Sequence, residues 1–184
     1  MKVKDVVLLA ADMLGLKERV DAYLNHGDED GERDTNLLLR SYNTVESELA
    51  LDYLPLHCED VVQTDTGRIT YGTLSMPPVR LLRVTDEDGK SVAFKIFPDY
   101  FQVETLGEVR VSYTYAPMKK SIGDDGEYKV QASERLIAYG MAAEYCLWKG
   151  LFEEASAWEK KYKDALKKAY EAKPSKIMRS RRWA

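Results

Sequence analysis

Histidine and cysteine are scarce in this chain, two of each in 184 residues. Cys58 and Cys146 stand far apart inside apolar segments, so no disulfide framework is encoded, and two buried free thiols in a reducing compartment are expected. With only His26 and His57 to draw on, any histidine-based acid–base site would have to use one of them. Phosphate-binding glycine loops, nucleophile elbows, dinucleotide fingerprints and paired-histidine zinc motifs are all missing. No apolar run approaches the ~18 residues of a membrane span, and Asp5 and Asp12 interrupt the first apolar stretch, which predicts neither a signal peptide nor membrane insertion. Base is not in excess either, with 27 Lys and Arg against 31 Asp and Glu. What remains is 45% hydrophobic and 32% charged, the balance of a globular protein. A chain of this size buries roughly two-thirds of its unfolded surface and needs neither disulfide nor metal to hold a core.

The charge is uneven, and that is more informative than the net of −4. Residues 1–60 hold 6 basic and 14 acidic side chains, 61–118 hold 6 and 7, and 119–172 balance at 10 each. From Lys173 onward come Lys176, Arg179, Arg181 and Arg182 with no acid. From its net charge the acidic body is not expected to be a nucleic-acid-binding globule, which needs a basic face to release phosphate counterions. The basic segment alone suits phosphate or an acidic protein surface.

Periodicity divides the chain into four parts: N-terminal helices in 1–58, a β insertion in 59–118, a C-terminal helical hairpin in 119–172 packing on the N-terminal helices, and a basic arm in 173–184. Val3, Val6, Val7, Ala10, Met13 and Leu14 step by three and four, an amphipathic helix stopped at Gly15, and Lys17 to Leu24 forms a second short one. Asn25 to Asp34, with two glycines, five acids and nothing apolar, reads as an exposed loop. It lacks the spacing of a calcium-binding loop. Thr35 is the expected N-cap of a longer helix whose stripe is Leu38, Tyr42, Val45, Leu49 and Tyr53, ended by Pro55.

Beyond Glu59 the period falls to two. Val79, Leu81 and Arg83 alternate with Arg80, Leu82 and Val84; Asp86 to Gly89 is a turn; Val92, Phe94 and Ile96 follow; and Val109, Val111, Tyr113 and Tyr115 alternate with Arg110, Ser112 and Thr114. Asp60 to Gln63 and Arg68 to Tyr71 suggest an edge hairpin across Asp65-Thr66-Gly67. Helix resumes from Ala132 to Lys149, with Ser133 near its start and Gly150 at its end, and again from Phe152 to about Ala172 along Ala155, Trp158, Tyr162, Ala165, Leu166 and Ala169. Lys173-Pro174 closes the hairpin. The predicted fold class is α+β: a helical bundle with an inserted antiparallel β-meander.

No pattern calls for a catalytic group, a metal or a cofactor. His57 and Cys58 are adjacent, and neighbours in sequence seldom point at one target; a packed Cys58 is the simpler reading. The arm is the segment that invites a binding role. A solvated end has no use for Ile177, Met178 and Trp183, whereas a segment that orders on a partner does, and Trp and Arg are enriched at binding hot spots.

Two resemblances follow. The run Ala142-Ala143-Glu144-Tyr145-Cys146-Leu147-Trp148-Lys149-Gly150-Leu151-Phe152-Glu153-Glu154-Ala155, continued by Trp158, Tyr162 and Ala165-Leu166, is similar to a single tetratricopeptide unit, which would imply a cytoplasmic scaffold or peptide-binding hairpin. One unit without a second copy cannot bury a solenoid core, so a plain hairpin is the physical alternative. The whole layout resembles the head–tail connector (adaptor, gatekeeper-like) proteins of tailed bacteriophages and prophages. It runs from a helix at Val3-Lys4-Asp5-Val6-Val7 through a helix ending Leu49-Ala50-Leu51-Asp52-Tyr53-Leu54-Pro55 and a β insertion to Gly150-Leu151-Phe152-Glu153-Glu154-Ala155, a last helix and a basic arm. That resemblance implies a structural, non-enzymatic virion protein of the neck, made in the bacterial host cytoplasm. It would assemble as a homo-oligomeric ring, dodecameric in many such proteins, beneath the portal protein, receive a downstream neck or tail protein, and extend a channel through which DNA passes without sequence-specific binding. It also implies that the arm docks on the portal through Lys176, Ile177, Arg179, Arg181, Arg182 and Trp183.

Overall fold

A computed structural model describes residues 1–171; the arm, with all six of its candidate docking residues, lies outside the described residues. The described residues form an α+β fold of five helices and two small antiparallel sheets. It divides into a helical unit, 1–45 with 120–171, and a β unit, 46–119.

In the helical unit, α1 (Val3–Met13) buries Val3, Val6, Val7 and Ala10 as their spacing predicts, and Ala11 besides, while Met13 and Leu14, expected on the same stripe, are half-buried; the helix packs on α4 (Glu134–Lys149). The chain start is pinned as well. Val3 N–H donates to the carbonyl of Asp124 at 3.1 Å, and Gly126 N–H donates back to that of Met1 at 3.0 Å. α2 (Lys17–His26) ends at Gly27, whose φ of 73° is the left-handed cap that glycine adopts at little cost. α4 starts two residues after the expected Ala132, because Ser133 is its cap, the hydroxyl accepting from Leu136 N–H at 3.2 Å. It ends at Gly150, and Leu151 N–H reaches back to the Cys146 carbonyl at 2.9 Å, a Schellman closure that turns the chain into α5 (Phe152–Glu171). Along α5 the residues Ala155, Tyr162 and Leu166 are buried, while Trp158 stacks on Tyr139 at 5.9 Å between ring centroids.

Two expectations about the acidic segment are corrected. Asn25 and His26 finish α2, Glu29–Gly31 forms a short 3-10 turn, and α3 (Glu32–Glu48) begins three residues before Thr35. Thr35 is therefore no cap. It sits buried one turn in, donating its hydroxyl to the Gly31 carbonyl at 2.8 Å. Asp28 takes the local capping role, accepting from Asp30 N–H at 3.2 Å. Only part of the segment is exposed, because Gly31 and Asp34 are buried.

The stripe of α3 holds for Leu38, Tyr42, Val45 and Leu49 and then slips by one residue. A π turn, Leu49–Tyr53, continues the helix, with Leu54 N–H bonding the Leu49 carbonyl five residues back at 2.6 Å. The wider turn puts Leu54 inside and leaves Tyr53, expected on the stripe, more than a third exposed.

The β unit contains β1 (Leu56–Thr64), β2 (Arg68–Thr70), β3 (Pro78–Asp86), β4 (Phe94–Ile96), β5 (Tyr100–Val103) and β6 (Gly107–Tyr115). One sheet has the order β1-β6-β3 and the other β2-β5-β4. β1 and β2 do not form the expected edge hairpin. β1 pairs with β6 over its whole length, Leu56 opposite Tyr115 through Thr64 opposite Gly107, and β2 pairs with β5. The nine-residue partner offers β1 a full ladder, which a two-stranded hairpin on a three-residue strand could not. Both sheets contribute to one core: Ile69, Phe101 and Val103 from one, Leu81, Val84, Val109, Val111 and Tyr113 from the other. The alternation expected in β3 is broken, because the register against β6 shifts between Pro78 and Arg80 and again between Leu81 and Arg83. Two bulges leave Leu81 and Val84, three apart, both facing the core.

Candidate interaction site

The first cluster is built on Asp34, a carboxylate only 5% exposed. Tyr145 donates its hydroxyl to Oδ1 at 2.7 Å, the Lys149 ammonium reaches the same oxygen at 2.9 Å, and Arg19 lies 3.5 Å from Oδ2. Three helices meet on this carboxylate. Burial pushes its pKa upward, but the hydrogen bonds from Lys149 and Tyr145 and the charges of Lys149 and Arg19 together outweigh burial and hold it below the usual range. Burial, then the bond to Asp34, push the Tyr145 hydroxyl well above the ordinary tyrosine value, so it stays a donor. Burial also raises the Cys146 thiol, with the Glu154 charge adding to it, which makes this free cysteine a poor nucleophile.

Beside this junction, Arg33, Asn36, Leu37 and Arg40 of α3 and Trp148 and Lys149 of α4 line an open cleft of about 320 Å³. The Arg40 guanidinium lies 4.0 Å over the Trp148 ring. Leu147, Trp148, Leu151 and Phe152 are all 44% exposed or more, so the α4–α5 turn is an apolar knuckle. The sequence pattern there, compared above with a tetratricopeptide unit, divides physically. Tyr145, Cys146 and Ala155 are core, and Leu147, Trp148, Leu151 and Phe152 are surface.

The β unit contains the other polar cluster. Asp60 accepts from Tyr113 Oη at 2.7 Å, Ser75 N–H at 2.7 Å and Ser75 Oγ at 2.7 Å, and the Cys58 sulfur lies 3.9 Å from its Oδ1. Burial raises the Asp60 pKa, and the bonds from Ser75 and Tyr113 more than offset it and lower it overall. Tyr113 is pushed up to about 12, first by burial. With its lone pairs satisfied, Asp60 ties the segment after β2 to the sheet. Cys58 is half-buried against the β core, and the neighbouring His57 is exposed. Cys58 belongs to the β unit and Cys146 to the helical unit. Among the described residues no group of three or more His, Cys, Asp or Glu side chains is placed to hold a metal ion.

The outer face of the β1-β6-β3 sheet carries a feature that sequence alternation conceals. Because of the two bulges, Arg80 pairs across from Thr114 and Arg83 across from Ser112, while Arg110 lies between Val61 and Thr85. Alternation would have put Arg80 and Arg83 on opposite faces; both are exposed on the face of Arg110. Val109, Val111 and Tyr113 of the same central strand point the other way, into the core.

No helix among the described residues is long and apolar enough to cross a membrane. No protein-family model matches the chain, and a search of curated proteins finds no match.

Proposed function

We propose that this protein is a head–tail connector of a tailed phage or prophage, a structural neck component without catalytic function, forming a ring between the portal and the next neck or tail protein. The observation that carries the reading is the chain layout: a β unit of two sheets inserted between α1–α3 and the α4–α5 hairpin, with α5 leading into a basic arm that contains a tryptophan. A closed ring needs two different complementary surfaces on each copy. The exposed Leu147, Trp148, Leu151 and Phe152 offer an apolar patch for one side of such a contact. In this reading the arm docks on the portal, Lys176, Arg179, Arg181 and Arg182 pairing with acids and Ile177 and Trp183 filling apolar pockets. Because no other site is asked of it, removing residues 173–184 is expected to abolish capture of the portal encoded in the same genome while leaving the thermal unfolding curve unchanged. Equal capture by the full and shortened chains would refute arm docking.

A further inference from the structure

We infer that the outer face of the β1-β6-β3 sheet is a contact surface for the phosphate backbone of duplex DNA, made by Arg80, Arg83 and Arg110. The argument begins with spacing. Arg80 and Arg83 face β6 residues two apart, and side chains two apart on one face of a strand are separated by about 7 Å. Arg110 continues the line by one more rung on the adjacent strand. Consecutive phosphates of one DNA strand rise about 3.4 Å along the axis but, wound on the outside of the duplex, stand about 7 Å apart in space, so the stripe suits adjacent phosphates of one strand.

The residue types agree with the spacing. All three cations are arginine, whose planar fork matches phosphate in a bidentate way that lysine does not. Between and beside them lie Ser112, Thr85 and Gln63, hydroxyls and an amide of the kind that hydrogen-bonds phosphate and sugar. Arg80 and Arg83 form no salt bridge among the described residues. Arg83 donates only to the Gly89 carbonyl at 3.4 Å. Arg110 is held by Glu59 at 3.4 Å, and Glu59 also accepts from Ser112 at 2.9 Å. Glu59 and, toward the end of the strand, Glu108 are the acids on this face. They keep the contact weak, as suits DNA that must slide rather than stay. Val61 stands opposite Arg110, and Val79 and Leu82 of β3 are exposed as well, so an acidic protein is the rival occupant, which competition with polyglutamate distinguishes.

The geometry stands by itself; the choice of duplex DNA over other polyanions rests on the connector reading. The test titrates a short fluorescein-labelled duplex with the full chain, with R80Q/R83Q/R110Q, and with Glu59→Gln, following anisotropy from about 100 to 20 mM salt. Counterion release at three phosphates contributes about 2.7 to the slope of log affinity against log salt, so over that range the parent should tighten about 80-fold more than the triple variant. The basic arm is present in every protein and cancels from the difference. Glu59→Gln, which frees Arg110 and removes a charge, should bind more tightly than the parent. Equal slopes for parent and triple variant would assign DNA binding elsewhere and overturn the inference. Displacement of the duplex by polyglutamate of equal charge as effectively as by unlabelled duplex would also overturn it, in favour of an acidic protein. Neither result touches portal capture through the arm, so the two readings fail separately. All substituted positions are exposed, and an unchanged unfolding curve for each variant verifies that the face, not the fold, was altered.

Discussion

A chain carrying Asp34→Asn is expected to melt about 5–10 °C below the parent at neutral pH, which corresponds to about 2–3 kcal/mol at about 2–4 °C per kcal/mol for a chain of this size. Removing one member of a fully buried charged pair costs about 3–5 kcal/mol, and the expected loss falls at or below the bottom of that range because Lys149 and especially Arg19 keep contact with water. Asparagine preserves the shape but offers one acceptor where two oxygens served Tyr145, Lys149 and Arg19. The pH dependence has a definite sign. The folded carboxyl titrates below its unfolded value near 4, so its contribution is fully present above that value and is lost as pH falls through the lowered folded value. The gap between parent and variant should therefore be constant from about pH 5 to 8 and should close in acid. Thermal melts at a series of pH values read this directly. A gap unchanged at pH 3, or absent at pH 7, would show that Asp34 is not the ionised hub of the three helices.

Gly31→Ala is expected to cost a comparable amount, about 2–3 kcal/mol and 5–10 °C, from overpacking against backbone. A methyl group at this position would overlap the Arg19 carbonyl and stand 2.8 Å from the Cβ of Tyr23, so α2 would have to move away from the start of α3. That movement also draws Arg19 away from Asp34, and the two substitutions together should lose less than the sum of their separate effects. The sign makes this prediction demanding. At an unstrained position Gly→Ala stabilises by about 0.4–1 kcal/mol by restricting the unfolded chain. Gly123, which has open space around it and no positive φ, supplies the control, with a change expected between zero and that gain. Equal melting temperatures for the Gly31 and Gly123 variants would mean that α2 and α3 are not in close contact.

Much of the fold is legible in the sequence because its signals are local. The spacing of Val3, Val6, Val7 and Ala10 marks the buried side of α1, Ser133 and Gly150 bracket α4, and Val109, Val111 and Tyr113 mark the inner face of β6. Non-local features were hidden. Asp34 lies in a run of acids that looks uniformly solvated, and the residues that bury and bind it, Tyr145 and Lys149, come 111 and 115 positions later. Thr35 carries the chemistry of a helix cap, but Gly31 lets α2 approach so closely that the helix starts earlier. The arginine face depends on two bulges in β3, and a single misplaced residue in a strand moves a side chain to the other surface. A hint was present: Leu81 and Val84 are the apolar pair of β3 that the core takes, and their spacing of three fits a strand only with an added residue.

The connector account is tested most directly by electron microscopy of the full chain mixed with the portal assembly encoded in the same genome. The account predicts a closed ring of copies seated on one end of the portal, coaxial with its channel, and no such ring with the chain shortened before Lys173. Portal particles that remain bare, or that carry scattered single copies off the axis, would contradict it.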